Sequence, residues 1–76
     1  MQTTPTAQTG ANVRAEIARR GMTQAEVAAA MGVSQSQFSK RLRGTIPFNI
    51  NELSTIATLL DVPLGDLLPR SEAVAS

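Results

Sequence analysis

A helix-stopping glycine, Gly32, stands almost directly before a helix-starting serine, Ser34, with only Val33 between them. Few folds accept so tight a join. Upstream, Thr23-Gln24-Ala25-Glu26 has the capping-box form, in which the threonine hydroxyl accepts from the glutamate amide and the carboxylate reaches back. A helix is predicted from there to about Met31. It is rich in alanine (Ala25, Ala28, Ala29, Ala30), which favours helix and lets another helix come close. Gly32 suits the left-handed position just past a helix. Ser34-Gln35-Ser36-Gln37 is a second capping box, of the Ser-x-x-Gln form, and predicts a helix to about Arg43, stopped by Gly44. Two helices joined this closely are held at a steep angle, so the second protrudes and the first supports it from behind. Ala28 is small where the two would touch, and Val27, Met31, Val33 and Phe38 supply apolar residues underneath.

The remaining elements are also helical. Val13 and Ile17 fall on one face of a predicted first helix from about Gly10 to Arg20, which ends at Gly21 with arginines in its last turn. Thr45 to Ile50 reads as a loop around Pro47. Asn49-Ile50-Asn51-Glu52 resembles a third cap, followed by Leu53, Ile56, Ala57 and Leu60 at helical spacing. Pro63 then suits the first turn of a short fifth helix carrying Leu64, Leu67 and Leu68 and ending at Pro69. No strand pattern or internal repeat is visible. The expected architecture is all-α, a compact five-helix domain over residues 9–69. Residues 1–8, threonine-rich with Pro5, read as a flexible N-terminal tail, and residues 70–76 as a flexible C-terminal one.

At 76 residues the chain has room for one small domain of marginal stability. It contains neither cysteine nor histidine. No disulfide framework or thiolate metal site is therefore expected, and no cofactor. With no histidine to pair with Ser34, Ser36 or Ser39, and no phosphate-cradling glycine loop, no catalytic residue is expected either. No apolar run approaches membrane-spanning length, and the N-terminus does not read as a signal peptide, so a cytoplasmic protein without membrane contact is expected. The net charge of +1 conceals an asymmetry. From Val27 to Asn51 there is no acidic residue, yet Lys40, Arg41 and Arg43 lie there. Such a patch fits a polyanion approached from one side, and it equally fits a solvated cationic face.

Taken together, Gly21-Met22-Thr23-Gln24-Ala25-Glu26-Val27-Ala28, Met31-Gly32-Val33-Ser34 and Phe38-Ser39-Lys40-Arg41-Leu42-Arg43-Gly44 resemble the helix-turn-helix of the phage lambda repressor and Cro-like family, the XRE type. The likeness continues through Leu53, Ile56-Ala57, Leu60, Val62 and Leu67-Leu68. It implies that the helix from about Ser34 to Arg43 enters the major groove of double-stranded DNA. In that family the glutamine matching Gln35 pairs with an adenine edge and the serine matching Ser36 reaches a guanine; bidentate pairing of glutamine with adenine N6 and N7 fits this role. Ser39 and Lys40 join them as base-reading candidates, Lys40 reaching either a guanine edge or a phosphate. Phosphate contacts are implied for Gln24, Ser34, Arg43 and Asn49, although a helix cap also explains Asn49. Arg14, Arg19 and Arg20 read as solvated. Arg41 departs from the family pattern, in which that position is aliphatic and packs inward. Either its stem covers the core while its head reaches water, or Leu42 takes over the packing and the helix is slightly rotated.

The resemblance implies a small transcriptional regulator, a phage or prophage repressor or a Cro-like protein, acting as a homodimer on an inverted-repeat operator, and pairing off DNA or only upon it. It would work in the bacterial cytoplasm or on the nucleoid. The dimer contacts are expected near Leu64 to Leu68. An alternative is a protein-interaction module of the same fold, such as an antitoxin or a recombination accessory factor, which a large exposed apolar patch would favour.

Overall fold

The computed structural model describes residues 4–69. They form four α-helices, α1 (Pro5–Arg19), α2 (Gln24–Met31), α3 (Gln35–Leu42) and α4 (Ile50–Leu60), followed by a 3-10 turn at Leu64–Leu67. No strand occurs among the described residues. The fifth helix is thus a single 3-10 turn. Pro63 precedes it as an extended cap rather than sitting within it, and Leu68 is extended again. Leu67 from this turn is fully buried, so the segment still contributes its apolar anchor.

α1 begins earlier than its apolar face suggests. Thr4 is extended and its hydroxyl accepts the Ala7 amide at 3.1 Å, while Pro5 takes the first helical position, where its missing N–H and fixed φ cost nothing. Pro5 to Gln8, expected within the tail, are therefore helical. Residues 1–3 and 70–76 of the two expected tails lie outside the described residues. Gly10, expected at the helix start, sits inside α1 because α3 crosses there. A Cβ on Gly10 would lie 2.3 Å from the Leu42 carbonyl oxygen.

One apolar cluster joins all the elements: Val13 and Ile17 of α1, Val27 and Ala28 of α2, Phe38 and Leu42 of α3, Leu53, Ile56, Ala57 and Leu60 of α4, and Leu67. Phe38 also meets Phe48 edge-on, with ring centroids 5.9 Å apart, a favoured aromatic geometry. α3 lies against α1 and α2, and α2 also rests on α4. The core thus fixes the two helices of the short join from behind. No helix among the described residues is long and apolar enough to cross a membrane.

Candidate nucleic-acid interface

The join between α2 and α3 is set by three local devices. At the start of α2, Thr23 Oγ1 accepts the Glu26 amide at 3.0 Å and Glu26 Oε1 accepts the Thr23 amide at 2.8 Å, completing the capping box. At its end Gly32 adopts φ 74°, ψ 24°. The Gly32 amide then donates to Ala29 and the Val33 amide to Ala28, closing carbonyls the helix would leave open. A Cβ at Gly32 would meet nothing within 4 Å, so the positive φ, and not space, calls for glycine. Ser34 restarts the chain with its hydroxyl accepting the Gln37 amide at 3.1 Å.

The second capping box is only half formed. Gln37 does not reach back to the cap; its Oε1 accepts from Arg41 Nη1 at 3.4 Å instead. The same Arg41 nitrogen donates to the Gln37 carbonyl at 3.1 Å, and Arg41 Nε lies 3.2 Å from Glu52 Oε2. Both ion-pair side chains are 17% exposed. Leu42 is buried and takes the packing, and the Arg41 head turns toward α4 to pair with Glu52. Glu52 Oε1 meanwhile accepts the Asn49 amide at 3.0 Å, and Asn49 Oδ1 accepts the Glu52 amide at 2.7 Å, the third capping box in full.

Burial fixes which way α3 faces. With about 100° of rotation per residue, Phe38 and Leu42 define the inward direction and Lys40 lies opposite. Ser36 falls about 40° from the outward axis; Arg43 and Gln37 fall about 60° from it, on opposite flanks. Ser39 and Arg43 share a flank, and the Ser39 hydroxyl accepts from Arg43 Nη1 at 2.8 Å. Arg41 lies on the other flank, beside α4. Gln35 is the first residue of α3 and is exposed at the helix end, where recognition helices present side chains to base edges.

The structure therefore places Ser36, Lys40 and Arg43 on the outward side of α3 and Ser39 on the Arg43 flank, while Gln35, about 140° from the outward axis, is exposed through its place at the helix start beside Ser34. Gln35, Ser36 and Arg43 are exposed; Ser39 and Lys40 are half-buried. Gln24 is exposed at the first position of α2, and Asn49 at the cap of α4. With Arg41 neutralised by Glu52, Lys40 and Arg43 are the cations that remain on this edge. Sequence reasoning missed Gln37, which capping-box spacing had assigned to the cap. Arginine at i+4, on the same face of the helix, was the clue to its true partner. Among the basic residues read as solvated, Arg14 and Arg20 are exposed, and Arg19 pairs with Glu16.

The arrangement has counterparts among known proteins. A family model described as Cro/C1-type HTH DNA-binding domain matches residues 12–72. The clp gene regulator ClgR from Corynebacterium glutamicum superposes with a TM-score of 0.80 at 26% identity, over 87% of this chain and 86% of that one. A second ClgR structure gives a TM-score of 0.82 at 25% identity, over 88% of this chain and 71% of that one. The restriction-modification controller protein C.AhdI from Aeromonas hydrophila shares the fold, with a TM-score of 0.74 at 22% identity, covering 82% and 94% of the two chains. No curated protein sequence matches the chain at a significant level.

Proposed function

The chain belongs to the Cro/C1-type HTH DNA-binding domain family, and from that premise we propose that it is a sequence-specific reader of double-stranded DNA that regulates transcription, of the phage or prophage repressor or Cro-like type. The observation that carries this reading is the outer edge of α3. Ser36, Lys40 and Arg43 stand there, with Gln35 exposed at the helix start, on a helix that carries no acidic residue and is anchored from behind by Phe38 and Leu42. Amides and hydroxyls of this kind read base edges, while arginine and lysine grip phosphate. In this reading Gln35, Ser36, Ser39 and Lys40 face the bases, and Gln24, Ser34, Arg43 and Asn49 hold the backbone on either side. A regulatory role is supported by ClgR, a clp gene regulator, whose fold extends over most of this chain.

The same reading makes the protein a homodimer on an inverted repeat, because a helix of this kind reads only a few base pairs. Two copies related by a two-fold axis place their reading helices in successive major grooves, about one helical turn apart. Leu68, 37% exposed at the end of the 3-10 turn, offers apolar surface for that pairing.

The test is selection of random duplex DNA by the purified protein at about 0.15 M salt, where non-specific binding is screened. The expected product is an inverted repeat with half-site centres about 10 base pairs apart. A single short motif would keep DNA reading and remove the dimer. No enrichment by a folded protein would overturn the proposal and favour a protein-interaction module.

A further inference from the structure

We propose that Gln37 is a further specificity-determining residue that favours its donor end over its acceptor end toward DNA, because the Arg41 guanidinium, positioned by Glu52, sits at its amide oxygen. This deepens the DNA-reading proposal and rests on its placement of α3 against the bases.

Gln37 is exposed and lies about 60° from the outward axis of α3, no farther than Arg43 and nearer than Ser39. It belongs to the first turn and follows Gln35 and Ser36 directly. Its backbone amide donates to Ser34, and Arg41 Nη1 donates to its carbonyl at 3.1 Å and to one lone pair of its side-chain oxygen at 3.4 Å. A guanidinium carries donors and no acceptor, so it can hold only the oxygen end of the amide. Arg41 in turn is held at its Nε by the Glu52 carboxylate, 3.3 Å from Oε1, which also accepts the Asn49 amide of the α4 cap, and 3.2 Å from Oε2. A chain of contacts thus runs from the start of α4 through Glu52 and Arg41 to the Gln37 amide.

The chemical consequence is directional. A glutamine with both ends open pairs with adenine, donating to N7 and accepting from N6. With a cation seated at its oxygen, Gln37 disfavours the adenine amino group and keeps its NH2 group for an acceptor. In the major groove the acceptors are guanine O6 and N7, thymine O4 and adenine N7, and of these adenine N7 alone stands beside an amino group that the cation repels. Arg41 acts here as a positioning residue. It need not touch DNA to decide which base Gln37 accepts.

The experiment compares operators selected from random duplexes by the wild-type chain, Gln37→Ala and Arg41→Leu, with helical content checked by circular dichroism. Wild type is expected to enrich guanine or thymine at one position per half-site that Gln37→Ala relaxes, with about five- to a hundred-fold discrimination lost there. Arg41→Leu, which frees the amide oxygen, should move that same position toward adenine; a purely structural role would weaken every position alike. Gln37→Ala alters an exposed side chain and carries the test even if Arg41→Leu fails to fold. Adenine or cytosine in the wild-type motif at the relaxed position, an unchanged motif for Gln37→Ala, or an unchanged base for a folded Arg41→Leu would each overturn the inference while leaving DNA reading intact. No enrichment by wild type would overturn DNA reading and this inference together.

Discussion

Glu52 holds two partners at once: its Oε1 accepts the Asn49 amide at 3.0 Å and Arg41 Nε at 3.3 Å, and its Oε2 lies 3.2 Å from the same Nε. The first contact closes the start of α4, and the second reaches across to α3, whose own packing is against α1 and α2. Ion pairs on open surfaces contribute little. This pair is 17% exposed on both sides, and removing one charge leaves the other poorly solvated.

Replacing Glu52 by glutamine keeps a capping-box partner for Asn49 but discharges the pair. We expect a loss of about 1–2 kcal/mol of stability, read from urea unfolding. Arg41→Leu should cost less, since Glu52 retains its capping bond and leucine can bury against the core. Equal losses would mean that the pair itself, lost in both variants, sets the cost and that the charge left on Arg41 adds nothing.

Gly10 shows how closely α1 and α3 approach. Alanine there places a Cβ 2.3 Å from the Leu42 carbonyl oxygen and 2.9 Å from that of Arg41. Both are backbone atoms at the end of α3, so the helices themselves must separate. The gain in helix propensity, about 1 kcal/mol, is outweighed, and Gly10→Ala should lower stability by about 1–3 kcal/mol. Denaturant titration would show this. A stabilised variant would mean that α1 and α3 slide apart freely.

Asp61 ends α4 at φ 58°, ψ 49°, a left-handed conformation that glycine adopts without cost. Asp61→Gly should therefore raise stability by about 0.5–1 kcal/mol, visible as a higher melting temperature. A lower one would indicate that the aspartate side chain holds the cap.

Much of this was legible in the sequence because it is local. Thr23, Ser34 and Asn49 mark the starts of α2, α3 and α4, and Gly32 marks the tight join, since each acts on atoms within a turn of itself. Phe38, Leu42, Ile56 and Leu60 announce their burial through helical spacing. What escaped depends on contact across the fold. Arg41 meets Glu52 over an intervening loop, a pairing that no spacing rule discloses. Gln37 had two equally local partners, the cap and Arg41, and the choice between them turns on where Glu52 holds the guanidinium. The start of α1 was written in Thr4-Pro5 but had no apolar stripe to advertise it, because its first turns pack through Thr9 and Gly10.

Arg43 and Gln35 separate the two kinds of DNA contact. Arg43 caps α3, is exposed, and donates to the Ser39 hydroxyl. If it grips phosphate, Arg43→Ala weakens binding to all duplexes evenly and flattens the salt dependence of log K by about one unit. Gln35→Ala should do the reverse: it leaves the salt slope unchanged and relaxes one base pair in each half-site, worth about 1–3 kcal/mol of discrimination. Titrations of the selected operator and a scrambled duplex at several salt concentrations read both effects together. If Gln35→Ala flattens the slope, or Arg43→Ala changes the preferred bases without changing it, the two roles are exchanged and α3 lies in the groove rotated from the orientation its buried face implies.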